Sequence, residues 1–196
     1  THPLPSFAKE SLDIFGIKDV IFWDVTRARA KNLLMPMAIN GTGIPSHNVL
    51  QAVSKQLVSG IPEKVQFDSP RIYISRINSV KRRVINEDAV IDFVLKHGFE
   101  VFTLETLSFA EQIALFQQAE IVIGAHGAGF ANCIHSQDIK ILEFFEPNYI
   151  NICFYRLACG YGFEYGYLLG QSQGLDIILD IAELESMMRE MGMINL

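Results

Sequence analysis

The sequence predicts an α/β domain in which a parallel β-sheet carries helices on both faces. Three observations predict this class: short β-branched runs, amphipathic segments with good capping residues, and a regular alternation between the two. Repeated strand–helix units of this length are typical of parallel sheets. A chain of 196 residues is long enough for one ordinary domain with a buried core. We expect this domain over residues 71–196, after a less certain α/β segment over residues 1–70.

Patterning in the first segment is irregular. Strands are expected near residues 20–24 and 33–37, and a helix over residues 46–58 with Ser46 at its N-cap. Residues 62–70 resemble a linker into the main domain.

The boundaries of strands and helices are much clearer from residue 71 onward. Strands are predicted over residues 71–75, 99–104, 120–124, 140–145 and 163–168. Asn86 suits the N-cap and Gly98 the C′ position of the helix between the first two strands. Ser108 and Glu111 form a capping box for the next helix, which ends near residue 119. Further helices are predicted near residues 149–159 and over residues 181–191.

Composition is typical of a globular protein and excludes several function classes. Hydrophobic residues make up 49% of the chain and charged residues 19%. The net charge of −6 argues against nonspecific nucleic-acid binding. Three cysteines without metal-type spacing predict reduced thiols. No apolar run reaches the roughly 18 residues of a membrane span and no signal peptide opens the chain, so a cytoplasmic location is the default expectation.

The strand over residues 120–124 leads into a turn that contains Gly124, Gly127 and Gly129. Glycine tolerates positive φ and lets another molecule approach the backbone. A helix is expected over residues 130–135, with its N-terminus facing the same point. Strand, glycine turn and helix N-terminus together suit an anion, most often a phosphate. The spacing matches neither the dinucleotide fingerprint nor the P-loop, and a turn that serves only strand-to-helix packing is the alternative.

Three polar segments fall at the ends of predicted strands, namely residues 75–76, 124–129 and 143–146. Ligands of parallel sheets bind beyond the carboxyl ends of the strands. We therefore expect one ligand site at this edge of the sheet.

Arginines cluster beside that edge. Arg76 directly follows a strand, and Arg82 and Arg83 lie in the loop before the Asn86 cap. Guanidinium groups at this edge can bind phosphate oxygens bidentately. The alternative is a solvated basic loop paired with the acidic residues at 87 and 88.

Further polar residues extend the candidate site. His126 lies inside the glycine turn, where it can donate to a phosphate or its sugar, or cap a turn carbonyl. Asn132 can bind a ligand or tie the turn to its helix. Glu143 is placed to accept from ribose hydroxyls, with Glu146 as its competitor and a helix-capping role as the alternative.

The sequence lacks the motifs that are typical of several kinds of catalysis and phosphate binding. The sequence has no Asp-x-Asp, no His-x-x-x-His, no Gly-x-Ser-x-Gly and no Gly-Lys-Ser/Thr phosphate loop. We therefore expect no bound metal and no cofactor, so that arginines, a helix N-terminus and a histidine would neutralise the phosphates.

Taken in order, these motifs resemble the family-61 glycosyltransferases, which include capsular-polysaccharide biosynthesis proteins. The resemblance runs from residue 71 to about residue 167 and rests on residues 72–76, 82–87, 98–101, 107–112 and 123–132. Phe130 stands where leucine is usual in the family.

The resemblance implies one Rossmann-like lobe of a two-lobed, GT-B type transferase. Such an enzyme takes a sugar from a nucleotide-sugar, UDP-linked in the first instance, to a glycan or lipid-linked acceptor, with inversion and without metal. By position, the donor diphosphate would be held by Arg76, Arg83, His126, Gly127, Ala128, Gly129 and Asn132, with Glu143 at the ribose. A lipid-linked acceptor would imply peripheral membrane association.

The sequence departs from the family pattern upstream of the matching region, where family members carry another lobe with a His-Trp motif and a nearby Asp. Trp23-Asp24 has no preceding histidine, so residues 1–70 are interpreted as a joining segment or a remnant of that lobe. The catalytic base stays unassigned, with His126, Asp24 and His47 as weak candidates. The chain alone is then expected to bind nucleotide but to turn over slowly or not at all. A nucleotide-sugar epimerase and a non-catalytic scaffold are the alternatives.

Overall fold

The computed structural model describes residues 4–20, 29, 31–32, 46–61 and 66–195. Within these residues the fold centres on a five-stranded parallel sheet in the order β2-β1-β3-β4-β5. Its strands are β1 (Arg71–Ile74), β2 (Glu100–Phe102), β3 (Ile121–Ala125), β4 (Lys140–Phe145) and β5 (Glu164–Leu169). The predicted α/β class, with a parallel sheet flanked by helices, is confirmed.

Six α-helices are present in the described ranges: α1 (Ser6–Ile14), α2 (His47–Ser59), α3 (Glu87–Lys96), α4 (Phe109–Gln118), α5 (Cys153–Tyr161) and α6 (Ile181–Glu190). Two 3₁₀ helices, Leu104–Thr106 and Ala128–His135, follow β2 and β3. None of the helices seen in these ranges is long and apolar enough to cross a membrane.

Strand side chains divide the core into two layers. Tyr73, Ile123 and Leu142 point to one face, where they pack with buried residues of α3 and α6. Their neighbours Ile72 and Val122 point to the other face, which α4, α5 and the second 3₁₀ helix cover. Successive strand residues alternate between faces, so a run that is apolar throughout fits a strand buried on both sides.

Two of the predicted helix-terminal motifs are confirmed. Ser108 Oγ accepts from the Glu111 N–H at 3.2 Å, and Glu111 Oε2 accepts from the Ser108 N–H at 2.7 Å. Gly98 follows α3 with a φ of +76°, the left-handed conformation expected at C′. Asn86 does precede α3, but the expected side-chain cap is wrong. Its amide is paired with the backbone N–H and carbonyl of Leu179, at 3.0 and 2.8 Å.

Three predicted boundaries need correction. The strand expected over residues 99–104 ends at Phe102, because the chain turns into the 3₁₀ helix that Gln112 holds through the Leu104 carbonyl at 2.9 Å. The segment after the glycine turn is a 3₁₀ helix rather than an α-helix. The helix expected near residue 149 begins at Cys153, because Glu146 accepts from the N–H of Asn148 at 2.9 Å and fixes a turn.

One element is absent from the sequence-based prediction. Strands β6 (Gln171–Gln173) and β7 (Asp176–Ile178) form an antiparallel hairpin, and Ile177 also bridges in parallel to Val84. The first strand is polar and exposed, so it carries no β-strand pattern. The one sequence signal for this hairpin is its two-residue Gly174-Leu175 loop, in which the glycine has a φ of +70°.

Some predictions concern residues outside the described part of the chain. The strands expected near residues 20–24 and 33–37 fall almost wholly there, as do residues 62–65 of the expected linker. The same is true of Asp24.

Candidate functional site

The strand order creates a crevice between two neighbouring strands. From β1 the chain crosses to β2 through α3 on one face of the sheet, and from β3 it crosses to β4 on the opposite face. The loops after β1 and β3 therefore diverge at their carboxyl ends. In sheets of this order the divergence point is where ligands bind.

A cavity of about 610 Å³ lies at this divergence point. Its volume is within the range of small-molecule sites. Residues that follow β1, β2 and β3 line it together, including Ser75, Arg76, Glu105, Ala128, Gly129 and Asn132. The structure thus brings together four predicted site residues, Arg76, Ala128, Gly129 and Asn132.

Arg76 enters the cavity wall with its side chain held at two points. Its Nε donates to the Arg82 carbonyl at 3.2 Å and its Nη2 to the Lys81 carbonyl at 3.3 Å. Its backbone N–H donates to the buried Glu87 carboxylate at 3.2 Å. Burial, and next the nearby Arg82, lower the pKa of Arg76. The guanidinium stays charged, since arginine is not deprotonated in proteins.

The three glycines of the turn are needed for space. Gly127 has a φ of −177°, and neither Gly124 nor Gly129 has a positive φ, so none of the three adopts the left-handed conformation that glycine tolerates. A Cβ on Gly127 would overlap the Arg76 guanidinium. A Cβ on Gly124 would lie 2.9 Å from the Ile74 carbonyl oxygen, and one on Gly129 2.7 Å from Leu104 Cδ1.

Arg82 lies beside Arg76 in an unusual conformation. It has a φ of 59°, and it is the one non-glycine residue with positive φ among those described. Its guanidinium carbon is 5.4 Å from the centre of the Tyr149 ring. Its buried Nε has no hydrogen-bond partner within the described residues. Arg82 does not itself line the cavity.

Asn132 connects two walls of the cavity. Its Nδ2 donates to Gln112 Oε1 at 3.1 Å, and Gln112 in turn donates to the Leu104 carbonyl. The side chain therefore ties the second 3₁₀ helix to α4, whereas the sequence predicts a contact with a ligand or with the glycine turn.

His126 and Glu143 form a buried pair behind the cavity. His126 is 5% exposed, and its Nδ1 is hydrogen-bonded to Glu143 Oε1. The other carboxylate oxygen accepts from the Tyr165 hydroxyl at 2.6 Å. Burial, followed by the Glu143 charge, raises the pKa of Tyr165 far above its usual value, so this hydroxyl keeps its proton and donates.

This arrangement does not present Glu143 to the cavity, so its ribose contact stays a prediction. Glu143 is 0% exposed and both of its oxygens have protein partners. The His126 ring packs against Phe145 and Phe154, with ring centres 5.3 and 5.5 Å apart. Neither side chain lines the cavity. Glu143 therefore positions His126 in this structure instead of facing a ligand.

Arg83 points away from the cavity. Its Nε and Nη2 donate to Asp176 Oδ2 at 3.0 and 2.6 Å, and its side chain is 47% exposed. These bonds hold the pKa of Asp176 below its usual value. Arg83 therefore does not make the alternative pairing with residues 87 and 88. Glu87 is instead buried and accepts from the Tyr73 hydroxyl at 2.9 Å.

The two remaining base candidates do not join the site. His47 begins α2 and packs edge-on against Tyr161 of α5, with ring centres 4.3 Å apart. It does not line the cavity. Asp24 lies outside the described residues.

His135 lines the cavity and was not among the predicted site residues. Its Nδ1 is hydrogen-bonded to Ser54 Oγ of α2 at 2.9 Å. Burial lowers the pKa of His135 from 6.5 to about 4. A lone histidine in a polar sequence context gives no signal of such burial.

This depressed pKa makes stability depend on pH. Because the unfolded chain takes up the proton first, stability is fully present above pH 6.5 and falls as the pH approaches 4. The loss at the lower limit is on the order of 3 kcal/mol. Denaturation measured between these pH values should show this slope in the wild type and a flatter one in His135→Asn. Equal slopes would contradict the buried neutral imidazole.

Two further observations concern metal ligands and the cysteines. Across the described ranges, no group of three or more His, Cys, Asp or Glu side chains is arranged to hold a metal ion. The three cysteines are free, and burial raises the pKa of Cys133 well above its usual value.

An α/β domain with an arginine-lined cavity at a strand-order reversal belongs to the large class of ligand-binding parallel-sheet folds. The chain belongs to glycosyltransferase family 61, which matches residues 4–140. This match supports a transferase. It begins upstream of the motifs that carry the resemblance, includes α1 and α2, and ends at the first residue of β4. Comparison with curated proteins found no match.

Proposed function

We propose that this chain binds the nucleotide-sugar donor of an inverting, metal-independent glycosyltransferase, as one lobe of a GT-B type enzyme. The observation that carries the proposal is the Arg76 guanidinium, which lines the cavity at the strand-order reversal together with Gly129 and Asn132. The nearby charge of Arg82 adds to the positive potential that an anion beside Arg76 would meet.

The donor diphosphate is the anion that fits a glycosyltransferase. Sugar transfer leaves a nucleoside diphosphate whose developing charge must be stabilised. The Arg76 guanidinium is held by two backbone carbonyls, so little reorganisation is needed when the charge develops. Charge-assisted bonds from arginine to phosphate are roughly twice as strong as neutral ones.

We assign the donor contacts to Arg76, the backbone of residues 128–129 and Asn132, all of which line the cavity. A contact from the Gly127 backbone stays a prediction. Arg83 and His126 stay predictions, since one pairs with Asp176 and the other with Glu143. An inverting enzyme also needs a base for the acceptor hydroxyl. We propose that a second lobe supplies this base and the glycan or lipid-linked acceptor site. A capsular-polysaccharide role and a cytoplasmic location are part of the same proposal.

Calorimetric titration with UDP tests the proposal. We expect binding at micromolar strength that is unchanged by EDTA and weaker for GDP, CMP and ADP. Binding that disappears with EDTA would overturn the metal-independent account of the diphosphate. The absence of binding by any of the four nucleotides would overturn the donor-site assignment for this chain.

Gly127→Ala tests whether the ligand needs the Arg76 guanidinium in its present position, independently of a change in stability. The extended backbone of Gly127 accepts any residue, so the main consequence of the new Cβ is displacement of the Arg76 guanidinium. We expect the UDP dissociation constant to rise at least about fivefold, a change of about 1 kcal/mol, while the melting temperature stays near that of the wild type. Unchanged affinity would show that the ligand does not need Arg76 in its present position.

A further inference from the structure

The β6–β7 hairpin covers the loop that follows β1. Asp176 accepts from the Arg83 backbone N–H at 2.9 Å as well as from its guanidinium. The Arg82 N–H donates to the Leu175 carbonyl at 3.0 Å, and the Ile177 N–H donates to the Arg83 carbonyl at 2.9 Å. The hairpin therefore binds the backbone of two consecutive arginines.

These bonds lie where the loop is strained. A non-glycine residue with positive φ is unfavourable and persists only where its surroundings hold it. Arg82 has such a φ of 59°, and the bonds from the hairpin flank it on its own N–H and on the next residue. The hairpin is thus the element that fixes this conformation.

The strained conformation has a consequence at the cavity. It directs the carbonyl of Arg82, together with that of Lys81, towards the guanidinium of Arg76. If the loop relaxed, Arg76 would lose both acceptors and its fixed position over Gly127. Contacts thus run from Asp176 to the Arg83 N–H, and from the Arg82 carbonyl of the same peptide unit to Arg76.

We propose that Asp176 is a positioning residue, through which the β6–β7 hairpin holds Arg76 ready for an anionic ligand. The proposal rests on the proposed function, in which Arg76 contacts the donor diphosphate. In this role Arg83 serves as the partner of Asp176, and its guanidinium does not need to touch the ligand.

A direct charge effect and a positioning role predict opposite changes in anion affinity when Asp176 is removed. Loss of a carboxylate near an anion site strengthens anion binding, and it also releases Arg83 for the ligand. Loss of a positioning residue weakens binding, because Arg76 is no longer held. The sign of the change in affinity therefore distinguishes positioning from direct charge effects.

The experiment is UDP titration of the whole chain carrying Asp176→Ala. We expect the dissociation constant to rise at least about fivefold, with a smaller rise for Asp176→Asn, which can still accept from the Arg83 N–H. In an Arg76→Ala background the same substitution should add almost nothing, because it acts through Arg76. Unchanged or tighter binding in the single variant, or additive effects in the double variant, would overturn the proposal.

Asp180→Ala is the matched control. Asp180 is the N-cap of α6 and accepts from the Ala182 N–H at 2.8 Å, so its loss destabilises the same region of the chain without touching the loop. UDP affinity should stay at the wild-type value. A fall equal to that of Asp176→Ala would assign both effects to general destabilisation and overturn the proposal.

A second readout needs no ligand. The Arg76 Nε–H should give a ¹⁵N-correlated NMR signal with slow solvent exchange, because it is bonded to the Arg82 carbonyl. This protection should be lost in Asp176→Ala and kept in Asp180→Ala. Protection that survives in Asp176→Ala would overturn the positioning role. If the wild type binds no UDP, the proposed function fails, and this signal alone decides the positioning role.

Discussion

We expect Arg76→Ala to raise the dissociation constant for UDP at least about tenfold, which corresponds to about 1.4 kcal/mol. A hydrogen bond to a charged group contributes roughly 1.5–3 kcal/mol where water is partly excluded. Arg76 meets that condition, because it is half-buried in the cavity wall and its guanidinium is fixed by two carbonyls. Calorimetric titration at constant salt measures the change.

Two variants make this result specific. Arg76→Lys keeps the charge but loses the planar fork, so its affinity should lie between those of the wild type and Arg76→Ala. Arg156 is an exposed arginine on α5 that does not line the cavity, and Arg156→Ala should leave affinity unchanged. Wild-type affinity in Arg76→Ala would remove Arg76 from the site.

We expect Glu143→Ala to lower the free energy of unfolding by about 3 kcal/mol or more. The carboxylate lies at the centre of the buried layer and accepts from both His126 and Tyr165. Its removal leaves two buried polar groups without partners and a space where the side chain was. Urea denaturation at pH 7 measures the loss.

Tyr165→Phe is the matched control for this stability effect. It removes one donor and leaves the pair between Glu143 and His126 intact, so we expect a loss of only about 1 kcal/mol. A Glu143→Ala protein as stable as Tyr165→Phe would contradict the buried network. A Glu143→Ala protein that stays folded and loses only nucleotide affinity would restore the sequence-based expectation of a ribose contact.

Local signals account for what the sequence predicts correctly about the fold. The capping box at Ser108 and the glycine after α3 depend on contacts within a few residues, and both are observed. Strands buried on both faces are continuous apolar runs, so β1, β3 and β4 are found within a residue or two of their predicted bounds. The β6–β7 hairpin is different, because its first strand is polar and its pairing with the Val84 loop is long-range.

The same distinction between local signals and long-range contacts holds at the candidate site. That Arg76, Gly129 and Asn132 lie together follows from their places after β1 and β3, since parallel strands end at a common edge. The partner of Arg83 is 93 residues away, so no sequence spacing predicts it. The burial of Glu143 also depends on tertiary packing, in this case on Tyr165 of the neighbouring strand.

The most direct test of the account is UDP titration followed by ¹H–¹⁵N NMR of the chain in the presence of EDTA. A donor site at the strand-order reversal predicts saturable shifts in the backbone signals of residues 75–76 and 127–132 and in the Arg76 Nε–H signal. Signals from the far side, such as those of α6, should stay unchanged. Saturable shifts confined to any other surface, or no shifts at all, would contradict a donor site between β1 and β3.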